Sequence, residues 1–216
     1  MFLWIKTNLI WTQGRTIFIV ACLLALIFWF LFKPLFFACC AFVVFSFYFF
    51  RNPYRINPAA ISDDTILVCP CDGRVVDIQH DPHKLEGYSH KVSIFLSAFD
   101  VHVNWVPMTG AIEKIKYKAG AFKLAFLPKS SELNERNDLT IVGEKNRKIM
   151  VRQIAGLVAR RIVCWVEEGE YVTVGQKYGM IKFGSRVDIF LPENVSLEVQ
   201  KGRRVCGGET ILGRWI

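Results

Sequence analysis

Between Ile17 and Phe50 the chain carries one charge, Lys33, and residues 1–50 contain no Asp or Glu. So long an apolar stretch must leave water for protein or lipid. As a single helix it would run about 50 Å, well beyond a hydrocarbon core of about 30 Å. Lys33-Pro34 divides it into 17–32 and 35–50. Each half is slightly short for a span, and local thinning or flanking residues can make up the difference. Lys6 and Arg15 precede the first half, and Arg51 and Arg55 follow the second. The positive-inside tendency then puts both ends in the cytoplasm and Lys33-Pro34 at the far face of a transmembrane helical hairpin. A re-entrant or steeply tilted insertion is the alternative. The length of the apolar region, and the lack of a small-residue site closing it, argue against a cleaved signal peptide.

The rest of a 216-residue chain is the length of one soluble domain. Residues 51–64 read as a polar, Pro-containing linker, and 65–216 as the domain. Its runs at 65–69, 73–79, 91–96, 102–106, 111–117, 148–154, 161–166, 178–183, 187–191 and 196–200 are short. They are rich in Val and Ile and are punctuated by Gly, Pro, Asp or Asn. Residues 121–137 are the least strand-like, 157–160 could form a short helix, and no long amphipathic helix stands out. The expectation is a mainly β, single β-rich domain behind the hairpin. Val166-Glu167-Glu168-Gly169-Glu170-Tyr171-Val172 and Gly175-Gln176-Lys177-Tyr178-Gly179-Met180-Ile181 resemble the paired turns of barrel-sandwich hybrid domains. Val199 to Val205, followed by Gly207-Gly208-Glu209-Thr210-Ile211, echoes them.

The net charge of +8 includes clusters at Arg160-Arg161 and Lys201-Gly202-Arg203-Arg204. Next to a membrane segment, an anionic lipid surface is a better partner than nucleic acid. Seven cysteines, three of them in the apolar segment, have neither a disulfide nor a zinc spacing. They read as small buried residues in a reducing compartment, and no metal is expected at Cys69/Cys71. His80 and His83, with His90 beyond, lack the companions of a metal site.

One dipeptide suggests chemistry. Gly184-Ser185 lies between two strand-like runs. A serine hydroxyl can attack the carbonyl before it, and glycine leaves that carbonyl open and tolerates strained angles. Elimination from the resulting ester would give dehydroalanine and then a pyruvoyl group. Alone, Gly-Ser is weak evidence, because most such pairs only make a turn. Asp72-Gly73 is likewise an ordinary turn pair, and His102 on a strand an ordinary histidine.

Four segments change that weighting. They are Pro70-Cys71-Asp72-Gly73-Arg74-Val75, Phe99-Asp100-Val101-His102-Val103-Asn104-Trp105-Val106-Pro107, Gln153-Ile154-Ala155-Gly156 and Phe183-Gly184-Ser185. With the anchor, they resemble the phosphatidylserine decarboxylase proenzyme family from about residue 49 onward. The similarity is strongest to the short form, whose cleavage motif is Gly-Ser. Phe183 and Arg186 stand where longer members have Leu and Thr, and Trp105 where they have a second histidine.

The resemblance implies self-cleavage between Gly184 and Ser185 into a large chain, 1–184, and a small chain, 185–216. Ser185 would become the pyruvoyl cofactor and condense with the amine of phosphatidylserine, giving phosphatidylethanolamine. His102 would act as base and proton donor, with Asp72 fixing its tautomer and stabilising its charged form. The implied partners are phosphatidylserine, an anionic membrane surface, the two chains of one precursor and, as an option, a second copy in a homodimer. The implied location is the cytoplasmic side of the inner membrane. The polar Asn134-Glu135-Arg136-Asn137 reads as a solvated loop or a substrate-facing one, and the resemblance favours the second. Two other readings fit the residues alone: a membrane-anchored β-domain that binds or scaffolds, and a serine hydrolase with a lasting Ser185-His102-Asp72 triad.

Overall fold

The computed structural model describes residues 11–80, 87–120, 134–156, 162–182 and 185–216, and the chain forms two compact units, Met1–Tyr54 and Arg55–Ile216.

The first unit is a pair of helices, α1 (Trp11–Leu31) and α2 (Lys33–Phe49). Phe32 is extended between them, with Pro34 in the first turn of α2, where its missing N–H matters least. Lys33 Nζ sits 3.3 Å over the Trp29 ring at this turn. Phe18 of α1 meets Phe47 and Phe50 at ring separations of 4.5 and 6.0 Å. Leu26, Phe30, Phe37 and Val44 point outward and are exposed, so the pair presents large apolar side chains on its outer surface. Gln13–Leu31 is long and apolar enough to cross a membrane, and Lys33–Phe49 is a shorter apolar helix. The break falls at Phe32, just before Lys33-Pro34, and α1 begins six residues before the uncharged stretch does.

The second unit opens with a one-turn helix, α3 (Pro58–Ser62), inside the stretch read as linker. Asn57 caps it by accepting from the Ala59 amide at 3.0 Å. Fourteen strands are described: β1 (Ile66–Val68), β2 (Gly73–His80), β3 (His90–Leu96), β4 (Val103–Trp105), β5 (Gly110–Lys118), β6 (Arg136–Val142), β7 (Lys148–Ala155), β8 (Ile162–Cys164), β9 (Tyr171–Val172), β10 (Lys177–Ile181), β11 (Ser185–Leu191), β12 (Val195–Leu197), β13 (Arg204–Val205) and β14 (Ile211–Trp215). The domain is mainly β, as the strand pattern predicts. An eight-stranded sheet runs β13-β2-β3-β11-β7-β6-β5-β9, and two three-stranded sheets run β1-β14-β12 and β4-β10-β8. The described pairings are antiparallel.

β11 is the strand that organises the domain. It lies between β3 and β7, and all seven of its residues are buried. Alternation sends Val187, Ile189 and Leu191 to one face, where they join Val92, Ile94, Leu96, Leu139, Ile141 and Val151 in the core. Arg186 and Asp188 take the other face with Arg152 and Asp138, and these too are buried. Arg152 holds Asp138 by two parallel bonds of 2.6 and 2.7 Å. Arg186 Nη2 donates to Asp188 at 3.2 Å. The cross-strand register sets Asp138 against Arg152 and Arg152 against Asp188, a row of alternating charge across three strands.

β6 was not among the expected strands, because its polar start hides it. Asp138 and Asn137 find their partners on β7, far along the chain, so no local pattern announces them. The helix expected at 157–160 and residues 121–133 lie outside the described residues.

Candidate functional site

Ser185 is the first residue of β11, paired with Leu96 of β3 and Ala155 of β7. It is fully buried, and its hydroxyl has no hydrogen-bond partner among the described residues. Phe183 and Gly184 lie outside the described residues, while Ile181 ends β10 just before them. The Ile181 amide donates to the carbonyl of His102 at 3.1 Å, and Met180 pairs with Val103. The segment leading to Ser185 is therefore laced to the strand that follows His102.

His102 is fully buried. Its Nδ1 lies 2.9 Å from the Asp100 carbonyl, which can only accept. In the neutral ring the proton thus belongs on Nδ1, and Nε2 carries the lone pair. The tautomer-fixing contact expected from Asp72 is made here by the Asp100 carbonyl.

Asp72 acts on the backbone around His102. Its carboxylate accepts from the Val101 amide at 3.3 Å and the Gly207 amide at 2.9 Å, and it pairs with Arg55. It thereby ties together the turn before β2, the residue preceding His102 and the turn after β13. The next residue, Gly73, has φ of 142°, and a Cβ there would collide with the Phe95 carbonyl. The Asp72-Gly73 turn is thus forced by the close approach of β3. The sequence marks Arg55 as a cation flanking the apolar stretch. Burial works against its charge, but the hydrogen bond and attraction of Asp72 prevail and raise its pKa.

The Asp100 carboxyl is spent elsewhere. It accepts from the Ser97 amide and hydroxyl at 2.8 and 2.7 Å and pairs with Arg204 at 2.6 Å. Burial opposes its ionisation, but the Ser97 bonds and Arg204 outweigh burial and hold it below the usual carboxylate range. Cys71, in the core, has its thiol pushed up by burial, which suits the reading of Cys69 and Cys71 as packing residues. Trp105 is buried beneath Gly207 and Gly208; a Cβ on Gly207 would collide with its ring, and the Arg55 guanidinium lies 5.3 Å from it.

Asn134, Glu135 and Asn137 are neither a solvated loop nor free to face a substrate. All are buried. Asn134 Nδ2 donates to the Ala155 carbonyl at 2.8 Å, and the Glu135 carbonyl accepts from the Ala155 amide at 3.0 Å, so the two clamp the residue beside Ser185. Asn137 bonds Gln153, and Gln153 bonds Asn104. Sequence reasoning named Gln153 only as part of a motif. A glutamine in a run as apolar as Ile154-Ala155 was the available signal.

The other histidines stand apart. His80 and His90 face each other across β2 and β3 with Nδ1 atoms 3.0 Å apart, and His83 lies outside the described residues. Among the described residues, no cluster of three His, Cys, Asp or Glu side chains could hold a metal.

The mainly β domain buries a serine hydroxyl and a histidine in its interior. Comparison with known proteins sharpens this. The sequence profile of the family described as "Phosphatidylserine decarboxylase" matches residues 42–213. A phosphatidylserine decarboxylase proenzyme from Syntrophus aciditrophicus (strain SB) is 45% identical over 172 residues, 79% of either chain. One from Ehrlichia chaffeensis (strain ATCC CRL-10679 / Arkansas) is 48% identical over 168 residues, 76% of this chain and 73% of its own. One from Salinibacter ruber (strain DSM 13855 / M31) is 45% identical over 174 residues, 80% of this chain and 76% of its own. The chain belongs to the phosphatidylserine decarboxylase family.

Proposed function

We propose that the chain decarboxylates phosphatidylserine to phosphatidylethanolamine, as two chains cut from one precursor between Gly184 and Ser185. The observation that carries this reading is the Ser185 hydroxyl, buried and without a described partner at the head of the central strand. A buried polar atom of this kind is costly to keep and calls for a purpose. With its Nδ1 proton held by the Asp100 carbonyl, His102 presents a basic Nε2. His102 takes the serine proton, Oγ bonds to the Gly184 carbonyl carbon, and the amide gives way to an ester. Elimination frees the Gly184 carboxylate, and addition of water with loss of ammonia leaves a keto group on residue 185. Asp72 supports His102 by holding the Val101 amide and the Gly207 turn.

A pyruvoyl group fits this position, because the residue that would carry it is already buried and needs no diffusible cofactor pocket. When present it supplies an electron sink for the carbanion left as CO₂ departs. His102, held in one orientation by the Asp100 carbonyl, returns a proton to the α-carbon. The N-terminal helix pair keeps the domain at a bilayer holding the substrate, on the cytoplasmic side of the inner membrane by the cation rule, with the anionic surface as a partner.

The test is the mass of the purified chain. Wild type is expected as two fragments, 1–184 and 185–216, the second with a blocked N-terminus. Ser185→Ala is expected as one uncut, inactive chain. A competent wild type with an intact Gly184-Ser185 bond overturns the reading.

A further inference from the structure

Three amide side chains form a line through the interior of the domain. Asn137 Nδ2 donates to Gln153 Oε1 at 3.1 Å, Gln153 Nε2 donates to Asn104 Oδ1 at 2.7 Å, and Asn104 Nδ2 donates to the Val103 carbonyl at 3.2 Å. All three residues are buried. The direction of the line is fixed from one end. The Val103 carbonyl only accepts, so the Asn104 nitrogen faces it, and each further amide must point the same way.

The line joins two sheets that share no strand ladder. Asn104 is on β4, in the sheet with β10 and β8, while Gln153 and Asn137 are on β7 and β6 of the eight-stranded sheet. Asn104 stands two residues after His102. Gln153 stands two residues before Ala155, the register partner of Ser185, and so shares its face of β7. A Cβ on Gly179 of β10 would come within 3.2 Å of Gln153 Nε2, so bare backbone there leaves the glutamine its room.

We propose that Gln153 is a positioning residue for self-cleavage. Its amide ties the strand that follows His102 to the strand beside Ser185, and so sets the distance across which the serine proton passes. This rests on the reading of Ser185 as nucleophile and His102 as base given above. An apolar pair could also glue the two sheets together, but it would not fix their separation as a directed bond does. A neutral amide does so without placing a charge beside the histidine, which would shift its proton affinity. Buried amides are tolerated only when paired, and here each of the three has a partner.

The experiment follows cleavage of the full chain over time in detergent by denaturing gel. Four variants are compared with wild type: Gln153→Leu, Asn104→Leu, Asn104→Asp and the double leucine variant. Gln153→Leu and Asn104→Leu should each slow cleavage tenfold or more, and the double variant should be no slower than either. Asn104→Asp is the conservative rescue. A buried, neutral aspartic acid accepts from Gln153 through one oxygen and donates to Val103 through the other, so its cleavage should stay within threefold of wild type. A purely structural role predicts rates that track melting temperature, with no rescue specific to Asn104→Asp. A wild type that is cut, beside a Gln153→Leu chain cut equally fast, overturns the proposal alone. So does a slow Gln153→Leu beside a wild-type rate in Asn104→Leu. If Gln153→Leu does not fold, the two Asn104 variants decide: equal rates in them overturn the proposal. A wild type that stays whole overturns the underlying reading, and the proposal with it.

Discussion

The two faces of the central sheet around β11 are both buried and both polar in part, yet they carry different chemistry. The face shared by Ser185, Gln153 and Asn137 has neutral hydroxyl and amide groups set among the apolar core. The opposite face has Arg186, Asp188, Arg152 and Asp138 joined as ion pairs. The backbone of one strand separates the two sets. A buried charge near a catalytic base would move its proton affinity, and a neutral amide would not. On β11, β7 and β6 the directed neutral bonds thus lie on the side with the serine and the buried ion pairs on the other.

The largest expected effect comes from breaking the charged face. Asp188→Leu would leave the buried Arg186 guanidinium without its carboxylate, a loss of about 3–5 kcal/mol. Thermal unfolding of the full chain in detergent, in the uncut Ser185→Ala background, should show a fall of about 6–20 °C. Replacing both members of the neighbouring pair, Arg152→Met with Asp138→Leu, should be milder than either single change, because no orphan charge remains. If the double variant is the worst of the three, the row of charges is more than a set of pairs.

A subtler test concerns the carboxylate in the segment of His102 itself. Asp100 turns only its backbone carbonyl to the histidine, while Ser97 and Arg204 hold its carboxyl. That carboxyl is depressed in the folded chain, so its contribution to stability is present above the unfolded value of about 3.9. It is lost as pH falls through the lower folded value. The melting temperature should therefore change little on this account from pH 7 to 5 and drop below about pH 4, and Asp100→Asn should fall less steeply there. Cleavage at neutral pH should survive that substitution better than it survives loss of His102, since the carbonyl remains. Abolished cleavage in a folded Asp100→Asn chain would show that the carboxylate acts on the site directly.

How far these features could be read in advance depended on whether their causes are local. The helix pair was legible because a charge-free stretch and one Lys-Pro step define it without reference to anything else. Most strands were legible from Val and Ile runs between turn residues. β6 was not, since Asp138 and Asn137 look like loop residues until Arg152 and Gln153 are set opposite them. β9 and β13, two residues each, exist only because a longer strand lies alongside. At the proposed site, Ser185, His102 and Asp72 are proposed from motifs, but the contacts they make could not be read there. Arg55 as the partner of Asp72 depends on a turn that brings residues 17 positions apart together, and the backbone carbonyl that meets His102, though only two residues away, carries no side-chain signature. Gln153 carries no signature beyond being polar in an apolar run.

The smallest effect belongs at the far end of the same strand pair. His90 lies against Leu191 at the opposite end of β11 from Ser185, and its ring meets that of His80 across β2. Partial burial and then the neighbouring histidine lower its pKa, against a weaker pull from Glu193. A base depressed in the folded state destabilises the fold as pH falls through its unfolded value of about 6.5, because the unfolded chain takes up the proton more readily. Lowering the pH from 7.5 to 5.5 should cost the wild type about 1–2 °C more than it costs His90→Gln. Solvent at this edge screens the effect, and the rate of cleavage should not follow it. A His90→Gln chain with a displaced cleavage profile would mean that the two ends of β11 are electrostatically coupled, and that the separation of neutral and charged groups is looser than the strand's length implies.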